Sequence, residues 1–69
     1  MENGWTSVFS SSDEYLVSIA QDMLHNDDIE SVVINHKDSV YVVWGEAEIF
    51  VLDENKHQAE EILKQLNKG

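Results

Sequence analysis

The sequence contains no cysteine and no arginine. Without cysteine there can be no disulfide, no thiolate zinc site and no cysteine nucleophile, and the chain suits a reducing compartment. Four lysines stand against fourteen Asp and Glu, a formal charge of -10. Phosphate backbones are held by clustered Lys and Arg, so nucleic acid and anionic membranes are strongly disfavoured as partners. The opening MENGWTSVF has no basic segment followed by an apolar one, and no apolar run approaches the roughly 18 residues of a membrane span. The expectation is a soluble, cytoplasmic protein folding as a single domain over residues 1–69. A chain of 69 residues removes a smaller fraction of its surface from water than a larger domain, and small domains usually recruit a staple. With disulfides excluded, a partner subunit is the staple left.

Residues Trp5 to Ser10 alternate and are rich in Trp, Thr, Val and Phe, which predicts a first strand. Ser11 and Glu14 have the spacing of a capping box. Leu16, Ile19, Ala20, Met23 and Leu24 then recur at i, i+3, i+4, i+7 and i+8, predicting a helix over about 12–26. Asn26, Asp27 and Asp28 end it. A second strand is expected from Ile29 to Asn35, then a polar turn HKDS, the apolar run VYVVW, a break at Gly45 and a strand AEIFVL. Asp53 is expected to cap a second helix in which Ala59, Ile62, Leu63 and Leu66 repeat the helical period.

The predicted fold is an α+β, two-layer, ferredoxin-like βαββα sandwich with sheet order 1-3-2, both helices on one face and 40–44 as a candidate extra strand. This order, with GEAEIFVLDENKHQAEEIL, resembles the small bacterial family of putative prokaryotic signal-transducing proteins, a domain of unknown function grouped by fold with the PII-like regulators. The resemblance runs through a Trp-x-x-Val-Phe strand, a capped helix, an Ile-Glu-Ser-Val strand, the alternating Ala47, Ile49 and Val51, and an Ala59-x-x-Ile62-Leu63 helix. Asp28 stands where that family usually has glycine. The resemblance implies signalling and brings no catalytic residues with it. PII proteins hold nucleotide phosphates with basic side chains and glycine-rich backbone; this chain has no arginine and no glycine cluster, so the fold does not argue for nucleotide binding.

Alternation places Ala47, Ile49 and Val51 toward the helices and Glu48, Phe50 and Leu52 away from them. By the same logic Val8 faces the helices while Trp5 and Phe9 face away; Ile29, Ser31 and Val33 face the helices, with Val32 and Ile34 opposite. The far side of the sheet then collects Trp5, Phe9, Val32, Ile34, Phe50 and Leu52. A sheet side left in water is normally polar. Burial of a large apolar side chain is worth about 1.5 to 3 kcal/mol, so six left wet would forfeit an amount comparable to the stability of a whole domain. Two covers are available: the run VYVVW, or a second copy of the chain. The candidate interface residues are Trp5, Phe9, Val32, Ile34, Tyr41, Val43, Trp44 and Phe50, the aromatic ones being the natural anchors.

Chemistry is poorly represented. His25, His36 and His57 are the only imidazoles, and the spacing Asp53, His57, Glu61 lacks a zinc-hydrolase motif. The acidic pairs fall at helix starts, turns and exposed faces, where nothing differentiates an acid from a base. The three consecutive serines read as a helix start, not as a nucleophile. No cofactor and no metal is expected. The functional expectation is a non-enzymatic, homodimeric regulatory or protein-interaction module, with residues 36–46 as a contact for another protein; the alternative is a small-ligand sensor binding a metabolite or cation.

Overall fold

The structure, a computed structural model, describes residues 4–35 and 47–67. Strand β1 (Trp5–Ser11) leads to helix α1 (Glu14–Asn26), strand β2 (Ser31–Asn35), strand β3 (Ala47–Leu52), a 3-10 turn (Asp53–Asn55) and helix α2 (Lys56–Asn67). The three strands form one sheet in the order β1-β3-β2, with β3 antiparallel to both neighbours. β1 and β2 are therefore parallel to each other with β3 inserted between them, the 1-3-2 order expected of a ferredoxin-like βαββα arrangement. The expected extra strand at 40–44 lies outside the described residues.

The period of two in β3 sets the layers. Ala47, Ile49 and Val51 are buried while Glu48, Phe50 and Leu52 are half-buried, because alternate side chains point to opposite sides of the pleat. The buried set joins Val17, Ala20 and Leu24 of α1, Ile29, and Ala59 and Leu63 of α2 in one apolar core, against which Val8, Phe9, Val33, Ile62 and Leu66 pack. Both helices touch each other, β1 and β3, so they cover the same side of the sheet. Among the described residues no polar or charged side chain is buried.

Phe9 departs from the simple alternation. The register pairs Ser7 with Phe50 but Phe9 with Ile49, leaving Val8 as the extra residue of a β-bulge. Directly opposed residues share a face, so Phe9 lies on the helix side beside buried Ile49, and both Val8 and Phe9 pack on the core. The expectation that Phe9 faces away is corrected: a bulge shifts every later residue of its strand to the other face. Trp5, before the bulge, keeps its expected side opposite Leu52.

Helix α1 begins later than its spacing suggested. Asp13 is the N-cap, its Oδ1 accepting from the Tyr15 N–H at 2.9 Å, while Ser11 Oγ accepts from the Asp13 N–H at 3.0 Å. Ser11 belongs to β1 and Glu14 is the first helical residue, so the cap falls on Asp13 rather than on Ser11, and its carboxylate satisfies the orphan N–H of Tyr15. The buried stripe runs through Val17, Ala20 and Leu24, and Leu16 is 36% exposed. Both settings obey the helical period, and contact with the sheet selects the one that includes Val17.

At the other end of α1 the Ile29 N–H donates to the Leu24 carbonyl and the Asp28 N–H to the His25 carbonyl, both at 2.9 Å, with Asp28 at φ 61°. This is a Schellman exit, and its usual apolar contact is present as buried Leu24 and Ile29. Ile29 is consumed by that exit, which is why β2 starts at Ser31 rather than at Ile29. Asp is one of the few residues that enters the left-handed region at modest cost. Asp28→Gly is expected to raise stability by about 0.5–1 kcal/mol and Asp28→Val to lower it by about 1–2 kcal/mol. Thermal unfolding of the three chains should rank them Gly, Asp, Val; equal melting temperatures would show that the turn carries no strain.

Asp53 does not cap α2. It opens the 3-10 turn, where its carbonyl accepts from the Lys56 N–H. Its own N–H donates to the Gly4 carbonyl at 2.7 Å, closing the end of the sheet where Trp5 pairs with Leu52. The expected face of α2 is found, with Ala59 and Leu63 buried and Ile62 and Leu66 against the core.

Candidate interaction surface

The side of the sheet away from the helices can be built row by row from the register. Trp5 stands opposite Leu52; Ser7, Phe50 and Val32 form the next row; Ser10, Glu48 and Ile34 form the third. Five of these eight side chains are large and apolar, and all five are half-buried. Phe50 sits at the centre, in the middle strand and the middle row. The polar members lie on β1 and at the Glu48 end, so the apolar ones form a band running obliquely from Trp5 and Leu52 through Phe50 to Val32 and Ile34.

Of the residues predicted for this surface, Trp5, Val32, Ile34 and Phe50 are brought together on it. Phe9 is on the opposite side, for the reason given by the bulge. Tyr41, Val43 and Trp44 lie outside the described residues. Leu52 completes the band opposite Trp5.

The patch is small. Three strands about 4.8 Å apart and six residues at about 3.3 Å each span about 300 Å² of flat sheet. That area includes Ser7, Ser10 and Glu48, so the apolar band is no larger than patches ordinary on monomeric proteins, and it falls below the roughly 800 Å² per partner of a standard interface.

Apart from Glu48, which shares the band's face, the ionisable groups of the described residues lie on the helices and the turns. His25 and His57 are exposed, and His36 lies outside the described residues. Among the described residues no group of three or more His, Asp or Glu is placed to hold a metal ion. Glu61 does not join Asp53 and His57 in a site: its carboxylate accepts from Lys64 Nζ at 3.0 Å. That hydrogen bond, with the charge of the same lysine, holds the Glu61 carboxyl below the usual carboxylate range. Both partners are more than half exposed, and such a surface pair is largely screened by solvent. No helix among the described residues is long and apolar enough to cross a membrane.

The family model described as "Putative prokaryotic signal transducing protein" matches residues 5–67. No curated protein and no solved structure matches the chain.

Proposed function

The chain belongs to the Putative prokaryotic signal transducing protein family, and from that premise we propose that it is a non-enzymatic regulatory module that pairs with a second copy of itself through the face of its sheet turned away from the helices. The observation that carries this reading is the oblique apolar band of Trp5, Val32, Ile34, Phe50 and Leu52 on the side that the helices do not cover. A two-fold pairing of such faces sets Phe50 of each copy near the centre, where interface energy concentrates. The carboxylates that acid-base chemistry would require, among them Asp13, Asp22, Asp53 and Glu60, are exposed, not set in a cleft that buries one of a pair.

The limited area makes the pairing weak and reversible, and charge makes it depend on salt. Each copy carries -10, so bringing two together costs repulsion that added ions screen within about 10 Å at 0.1 M. Sedimentation across a range of protein concentrations should show reversible self-association that tightens as sodium chloride is raised from low to high concentration. A strictly monomeric chain under both conditions, or association that salt dissolves, would overturn the apolar pairing. A small-ligand sensor remains the second reading; a thermal-shift screen of nucleotides, metal ions and amino acids tests it separately.

A further inference from the structure

The bulge in β1 stands beside a second register that the same two strands can form. As folded, β1 pairs Ser7 with Phe50, skips Val8, and resumes with Phe9 on Ile49, Ser10 on Glu48 and Ser11 on Ala47. Without the skip, Val8 would stand on Ile49, Phe9 on Glu48 and Ser10 on Ala47. Passing from the first register to the second moves one residue out of the far end of β1, into the short link that leads to the α1 cap at Asp13. Every residue after the bulge changes face in the process.

The sequence around the bulge suits both. On Ala47 one serine replaces another, and Ser11, the residue released, is small, polar and followed by a further serine. The bond from the Tyr15 N–H to Asp13 Oδ1 lies beyond the strand and survives the change. The substantive exchange is Val8 for Phe9 opposite Ile49. Both side chains are half-buried and pack against the core, neither within it, so valine can hold that place with part of one ring's burial given up. The bulged register keeps both on the core, and in a lone chain that decides the outcome. On the face away from the helices the balance is reversed. There the second register sets Phe9, instead of Ser10, in the row of Glu48 and Ile34, so the band gains a second aromatic ring beside Phe50.

Resting on the self-pairing proposed above, we propose that β1 is a register switch: the single chain keeps the bulge and holds Phe9 against the core, and pairing with a second copy draws β1 into the unbulged register, which turns Phe9 into the contact. Only the unbulged register offers that ring to the partner, and a partner that binds one of two states better shifts the population toward it. The switch enlarges, as contact forms, a band that is too small for a standard interface in the single chain. It also ties association to the link between β1 and α1, which lengthens by one residue.

The chain contains two phenylalanines, so 4-fluorophenylalanine places one fluorine probe at position 9 and one at position 50, and Phe9→Leu and Phe50→Leu assign the signals. As protein and sodium chloride concentrations are raised, both signals should move along one association curve, and the Phe9 ring should exchange its contacts on the Ile49 side for contacts with Ile34. Because the sequence has no cysteine, Ser10→Cys with Glu48→Cys can pin the bulged register. The two positions face each other in it, at a separation a disulfide spans, whereas in the other register position 48 faces Phe9. The oxidised chain should associate about tenfold or more weakly than the same chain reduced, the loss expected of an aromatic anchor. A response at Phe50 alone, or equal association of the oxidised and reduced chains, would overturn the switch and leave the pairing standing. No response at either fluorine would remove the pairing and the switch together.

Discussion

Ile49→Ala is expected to melt about 10–30 °C below the parent chain. Ile49 has no exposed surface, occupies the central strand, and lies between Phe9 and Val33 in the row facing both helices. Truncating such a side chain costs about 2–5 kcal/mol, because the lost transfer energy is joined by the cost of a cavity that a close-packed core cannot collapse. A domain of this length has about 3–10 kcal/mol in all, so the substitution removes from about a fifth to all of it. For small domains each kcal/mol moves the melting temperature by about 4–8 °C. Ile49→Val, which leaves most of the volume in place, should cost only about 0.5–1.5 kcal/mol. Urea unfolding of the two variants checks the ratio. Near-equal losses would mean that the space around Ile49 is filled by rearrangement.

The strength of that prediction reflects how plainly β3 announces itself. Ala47, Ile49 and Val51 alternate with Glu48, Phe50 and Leu52 without interruption, and a central strand has neighbours on both sides to hold its register. The order 1-3-2 and the apolar face of α2 were legible for the same reason: a periodic pattern long enough to exclude its alternatives. The misreadings occur where one residue plays two parts. Ile29 looks like the first residue of a strand, yet it closes the exit of α1, and no local pattern distinguishes these roles when both bury the side chain. Asp13 and Ser11 are both good caps, and only the end of β1 decides between them. Leu16 and Val17 are adjacent apolar residues on a helix that can bury one of them fully; the sheet beneath makes the choice.

The bulge at Val8 is the most consequential of these, because it divides two phenylalanines that alternation had put on one surface. Phe9→Glu and Phe50→Glu are therefore expected to fail in opposite ways. At position 9, where the ring is half-buried as well, the carboxylate would enter the helix side of the sheet beside Ile49, against the apolar core. A charge brought against that core is costlier than one on the other face, so Phe9→Glu should melt well below Phe50→Glu. At position 50 the carboxylate would point from the open face, where the ring is only half-buried. The fold should then lose about 1–2 kcal/mol in strand preference and partial burial and survive. Association should not survive: a central aromatic anchor is worth at least about 2 kcal/mol, which is about a thirtyfold rise in Kd, and each copy would bring one more negative charge to the contact. Tyr15→Glu, on a residue 72% exposed at the start of α1, supplies the comparison, since it adds the same charge without touching the band and should leave self-association within a few-fold of the parent. A Phe9→Glu chain as stable as Phe50→Glu would show that the bulge does not turn that ring inward. A Phe50→Glu chain that is folded and still associates like the parent would show that the two copies meet somewhere other than the open face.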